Sequence, residues 1–185
     1  MKKSDLLNVI VTKEQFNELR LAKLGVADRE YIVKRRTLIT AGDLLMMTEL
    51  LVSAVGKEKA KKMIEEATYN RFCKVGKAIA EKAGNPQDID GYIETVLVGA
   101  LGNIPDVPPM EIIERTKNKV VYADRKCFFA EQILELAKDP AILDVVKHRC
   151  CHDKAIAHGF NPKLKFEMSK FLLSGDDSCE FIVEL

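Results

Sequence analysis

What this chain lacks narrows its function before any motif is read. It has almost no net charge, with 29 Lys and Arg against 28 Asp and Glu, so no large field draws it to nucleic acid or an anionic membrane. It has no uninterrupted apolar run near the about 18 residues a bilayer span needs, because Thr48, Glu49 and Ser53 cut the Leu44–Val55 stretch. Two lysines follow Met1, but no apolar core or small-residue cleavage site follows them, so this start is not expected to be a secretory leader. Five cysteines are too few, and odd in number, for a secreted disulfide framework. There is no internal repeat, no low-complexity tract and no Cys-x-x-Cys pair. These absences predict a cytoplasmic protein with reduced thiols and neither a nucleic-acid nor a membrane partner.

What is present is ordinary globular material, 47% hydrophobic and 31% charged, long enough for a sizeable core in one domain over 1–185. Thr12-Lys-Glu-Gln15 has the form of a capping box and predicts a helix over Lys13–Leu24, ended by Gly25. Asp28 and Asp43 are read as caps of two further helices, stopped near Gly42 and Gly56. Lys57–Ala83 reads as one long helix with an apolar stripe of Ala60, Met63, Ile64, Ala67, Phe72, Val75, Ile79 and Ala80. Gln87–Leu101 reads as another. Three prolines within Pro105–Pro109 then make the strongest break in the chain.

After that break the pattern changes. Glu111–Thr116 and Lys119–Ala123 form a predicted hairpin, Phe128–Ala137 and Pro140–Ala157 return to helical spacing, and Leu164–Leu173 pairs with Cys179–Leu185 across Ser174-Gly-Asp-Asp-Ser178. The last strand alternates Cys179, Phe181, Val183 and Leu185 on one face. The predicted class is α+β: a helical scaffold over 1–102 packed with an α+β portion over 110–185, a small antiparallel sheet with helices. The long helix also offers a surface for a homodimer.

Groups able to do chemistry concentrate in the last third. Cys127, Cys150, Asp153, Asp176 and Cys179 are the thiols and acids there that could be catalytic. A thiol nucleophile needs a base or a positive surrounding to bring its pKa down from about 8.5. The three histidines, His148, His152 and His158, lie close in sequence to Cys150 and Cys151. His148, Cys151 and His152 share one helical face at metal-ligand spacing, but no second compact pair completes a site, so no metal site is assigned and no cofactor is required. The plainer readings are that Cys179 is a small core residue, Gly175-Asp176 a turn, and the histidines dipole partners near a helix end.

Cys150-x-x-Asp153, then Gly159-Phe-Asn-Pro-Lys-Leu164, then Leu173-Ser-Gly-Asp-x-x-Cys179-x-Phe181, resembles the C-terminal signature of the L-2-amino-thiazoline-4-carboxylic acid hydrolase family. Cys127 also falls where such proteins often carry a cysteine, and the likeness is best over Glu111–Leu185. The resemblance implies a small-molecule substrate and hydrolytic opening of a thiazoline ring to a carbamoyl-cysteine, within cysteine metabolism, with Cys150, Cys127 or Cys179 as the catalytic thiol, Asp153 or Asp176 as base, and Arg149 or Arg125, with His152, as substrate-binding partners. The chain is also similar to the 4-vinyl reductase domain, a small-ligand-binding module that ends in a Gly-x-x-x-Cys-x-Phe hairpin. That likeness implies a non-catalytic sensor of a small ligand or metal. Cys127, Cys150 or Cys151, Asp153, Asp176 and Cys179 are expected to meet around one cavity.

Overall fold

The structure is a computed structural model that describes residues 26–101 and 110–185, with side chains described for 36–99 and 110–185. The capping-box helix over Lys13–Leu24 and the Gly102–Pro109 break lie outside the described residues. In chain order the elements are α1 (Val26–Val55), α2 (Lys57–Lys82), a short α3 (Ile89–Tyr92) running into a π-helical segment (Ile93–Leu101), β1 (Glu111–Arg115), β2 (Lys119–Asp124), α4 (Phe128–Leu136), α5 (Pro140–Val146), a 3₁₀ turn (Lys147–Cys151), α6 (His152–Phe160), β3 (Lys165–Lys170), a 3₁₀ turn (Leu172–Ser174) and β4 (Cys179–Glu184). The α+β class predicted from sequence is what the chain adopts.

One expectation fails in the first helices. Asp28 and Asp43 do not begin separate helices; both lie inside a single helix of 30 residues, and Gly42 sits within it. A glycine costs a helix about 1 kcal/mol and does not stop it when the flanking turns pack. Here Ala41, Leu45 and Thr48 are buried one turn apart, and the Thr48 hydroxyl is absorbed by the Leu44 carbonyl at 2.7 Å. The stop comes at Gly56, whose φ of +79° lies in the left-handed region and turns the chain into α2.

Viewed by average composition, Arg36–Val55 is long and apolar enough to cross a membrane, and 17% of it is buried in the fold. The interruptions at Thr48, Glu49 and Ser53 break a run of apolar letters without lowering the mean enough. Ile39, Met46, Met47 and Leu50 remain more than half exposed along it.

The predicted stripe of α2 is shifted. Ala60, Thr68, Gly76 and Ala80 are buried, while Met63 and Val75 are exposed. The reason is close approach: α2 packs on α6 with Gly76 against the Ile156 carbonyl and Gly159 against the Cys73 carbonyl, and a Cβ at either glycine would collide with that backbone. Small residues decide this face, so a search for large apolar letters misplaces it.

The sheet is antiparallel, in the order β1-β2-β4-β3. Cys179, Phe181 and Val183 point inward from β4 as predicted, whereas Leu185 ends the chain 44% exposed. The predicted helix Pro140–Ala157 is interrupted by the Lys147–Cys151 turn. In 3₁₀ geometry side chains three apart eclipse, which lines Lys147 up with Cys150 and His148 with Cys151.

Candidate active site

Three chain segments deliver the thiols and acids. The end of β2 and the start of α4 carry Asp124 and Cys127; the start of β4 carries Cys179, directly across the ladder from Asp124; the 3₁₀ turn and first turn of α6 carry Cys150 and Asp153. Each placement has a local cause. Cys127 is the N-cap of α4, its Sγ accepting from the Ala130 N–H at 3.5 Å. Asp139 caps α5 by accepting from the Ala141 N–H at 2.7 Å, with Pro140 at the first helical position, and so aims the 3₁₀ turn that follows.

Asp153 is the hub. Protein encloses it on nearly every side, although 18% of its side chain still meets solvent. Burial raises its pKa above the ordinary carboxylate range, with the neighbouring His152 and Arg149 pulling the other way. Its negative charge is felt at Cys127, Cys150, Cys179, Asp124, Tyr92 and Tyr122. Burial pushes the Cys150 thiol far up, and Asp153, Cys127 and Cys179 add to the effect. Cys179 is pushed up to about 11, mainly by burial and against an N–H from Leu172. Cys127 is raised by burial, against N–H groups of Ala130 and Phe129. All three thiols therefore carry their protons near neutral pH. Behind them, the buried Tyr92 and Tyr122 hydroxyls meet at 3.4 Å.

In front of Cys150 lies an open cleft of about 270 Å³. It is lined by Lys147, His148, Cys150, Cys151 and Lys154, by Glu65 of α2, and by the apolar Phe166, Met168 and Phe171. His148 Nδ1 stands 3.0 Å from a Glu65 carboxylate oxygen, and the Cys151 thiol donates to the Glu65 carbonyl at 3.5 Å. Cys150 is the residue shared by the cleft and the Asp153 cluster.

The structure thus puts Cys127, Cys150, Asp153 and Cys179 within electrostatic reach of one another, but of the expected set only Cys150 and Cys151 line this cleft, and the other candidates lie apart. Asp176 sits exposed in the turn after Gly175, where its carboxylate accepts from the Phe171 N–H at 2.6 Å; a short polar side chain beside a positive-φ glycine closes that turn. Arg125 is exposed and paired with Glu111. Arg149 lies over the Phe72 ring at 4.8 Å, and His152 Nε2 stands 3.4 Å from Asp153. These two line the back of the cluster and not the cleft. Lys147, Lys154 and Asp124 are the residues that sequence reading missed. The two lysines flank Cys150 and Cys151 at seven-residue spacing, a signal that was readable. Among the described residues no group of three or more His, Cys, Asp or Glu is placed to hold a metal ion.

A family model for L-2-amino-thiazoline-4-carboxylic acid hydrolases matches residues 36–183. The chain belongs to this hydrolase family. The match runs through both the helical portion and the Cys/Asp region, so α1 and α2 belong to the family's pattern as much as the C-terminal signature does. No curated protein matches the chain. Among solved structures, it is similar to a trafficking protein particle complex subunit 3 from Naegleria fowleri covalently bound to palmitic acid, with a TM-score of 0.55 and 15% identity, covering 84% of this chain and 96% of that one. At that identity the likeness extends to the fold.

Proposed function

We propose that this member of the hydrolase family opens the ring of L-2-amino-thiazoline-4-carboxylate, with Cys150 as nucleophile and Asp153 as its proton acceptor. The observation that carries this reading is the position of Cys150, on the wall of a small charged cleft and beside a buried carboxyl. The ring carbon between sulfur and nitrogen is amidine-like and electrophilic. Cys150 Sγ bonds to that carbon, its proton passing through Asp153 to the ring nitrogen as the C=N pair moves there. The ring C–S bond then breaks as the C=N bond reforms, and the proton released from nitrogen goes to the departing sulfur. Water adds to the enzyme-bound carbon, Cys150 leaves with a proton, and carbamoyl-cysteine is released; one water is consumed.

The raised thiol pKa makes a standing thiolate a poor resting state, so proton removal accompanies attack. Cys127 and Cys179 would keep the cluster apolar and hold Cys150 in place. Ring-opening assays on the purified chain test the reading. Cys150→Ser and Asp153→Asn are each expected to lose about 100-fold or more in turnover, the usual contribution of a positioned proton acceptor or more, while Asp176→Ala keeps it. Undiminished turnover in both site variants would sink the assignment.

A second reading has one observation behind it, the fold shared with a subunit that carries covalent palmitic acid: a thiol here would hold an acyl group as a binding module does. The cleft favours the first reading, since about 270 Å³ lies below the ~300–1,000 Å³ of drug-sized pockets and its rim is charged. An intact mass of the purified protein higher by one acyl group would reverse that preference.

A further inference from the structure

We infer that the cleft recognises its ligand by both ends, a carboxylate between Lys147 and Lys154 and a cationic amidine-type group on Glu65, and that this polarity sets which carbon faces Cys150. The inference rests on the hydrolase reading for its ligand and on the cleft alone for its geometry. Elsewhere in the molecule, lysines near acids are paired with them: Lys57 and Lys61 both reach Asp144 at 2.7 Å, and Lys119 reaches Glu114 at 2.9 Å. Lys147 and Lys154 line the cleft without an ion pair among the described residues, though Glu65 lines it too. Glu65 is paired instead with His148, Nδ1 to carboxylate oxygen at 3.0 Å.

The cleft therefore holds two lysines and a carboxylate that do not pair with one another among the described residues. In the same lining, Phe166, Met168 and Phe171 offer an apolar face for a flat, sulfur-containing ring. A small zwitterion with its charges across such a ring fills this pattern. Charge-assisted hydrogen bonds to each end are roughly twice as strong as neutral ones. A ligand lacking either charge leaves one set of groups unanswered.

Calorimetry on the full chain separates the contributions, using three probes: 2-amino-thiazoline-4-carboxylate, the same ring without the carboxylate, and the ring carboxylate without the amino group. Lys147→Met and Lys154→Met are each expected to weaken the zwitterion about tenfold or more, and to leave the decarboxylated probe unchanged. Glu65→Gln is expected to do the reverse, weakening the two amino-bearing probes and sparing the one that lacks the amino group. Equal losses for all three probes, or none, would overturn the inference, as would a wild type that binds no probe. Binding with this pattern but without turnover would defeat the hydrolase reading and leave the recognition standing; turnover with lysine variants that bind normally would do the opposite.

Discussion

Behind Cys150, Asp153, Cys127 and Cys179 are shifted by loss of water, and every shift favours the uncharged form. In front of it, Lys147, Lys154, Glu65 and His148 line an open cleft. The difference shows where each property of the site comes from. The interior supplies proton affinity, which depends on enclosure and so on the whole fold. The cleft supplies charge, which depends on a few side chains and is easily altered without touching the core.

That contrast can be broken first from the fold. Gly159→Ala places a Cβ on the Cys73 carbonyl at the α2–α6 crossing. It is expected to cost about 3 kcal/mol, near the upper end for overpacking, which is about 6–12 °C in Tm for a chain of this size. Because α6 carries Asp153, such a variant should lose the interior's raised pKa values together, whereas the lysine variants should leave them intact. A thermal melt checks the first part.

Asp153→Asn sharpens the comparison. A carboxyl whose pKa is raised on folding contributes stability that is present below its unfolded pKa and lost as pH rises through the folded one. The wild type therefore carries a destabilising charge at neutral pH. The amide should raise Tm by a few degrees at pH 7, about 1 kcal/mol at 2–4 °C each, and the gain should vanish on acidification below pH ~4. By the same sign, wild-type turnover should fall on acidification at a higher pH than an ordinary aspartate would give. A gain in stability accompanied by loss of turnover would mark Asp153 as placed for chemistry at the expense of the fold.

The smallest effect belongs to Asp144, which Lys57 and Lys61 hold well below the usual carboxylate range through hydrogen bonds. This group is 41% exposed and screened by water. Asp144→Asn should cost about 0.5 kcal/mol near neutral pH, and less as pH falls through the carboxylate range, since a depressed pKa contributes only while the group is ionised. Melts at pH 7 and pH 3 check it.

The sheet and its flanking helices were legible because their signals are local: two hairpins with polar turns, and β-rich runs alternating in and out. The convergence of Cys127, Cys150, Asp153 and Cys179 was legible as a resemblance, through letters that recur together. Asp176 belonged to the same string of letters, yet its carboxylate closes a turn; a motif does not distinguish a residue that holds the chain from one that does chemistry. The α2 face was misread because close packing between backbones is written in glycines, which an apolar pattern ignores. Lys147 and Lys154 escaped because an unpaired lysine looks like any solvated one until the opposite wall of the cleft is in place.

Asn161 gives the motif Gly159-Phe-Asn-Pro-Lys-Leu164 a different weight. It is 1% exposed, donates to the Gln87 carbonyl at 3.0 Å and accepts from the Lys163 N–H at 3.0 Å, so it ties the loop before α3 to the passage from α6 into β3. Beside it, Gly159 serves the α2 crossing and Phe160 stacks edge-on with Tyr92, ring centres 5.6 Å apart. The most recognisable stretch of this chain is thus a joint. Evolution can keep that joint letter for letter while Lys147, Lys154 and Glu65 drift, and descendants that share the signature would then divide into lineages with different diets.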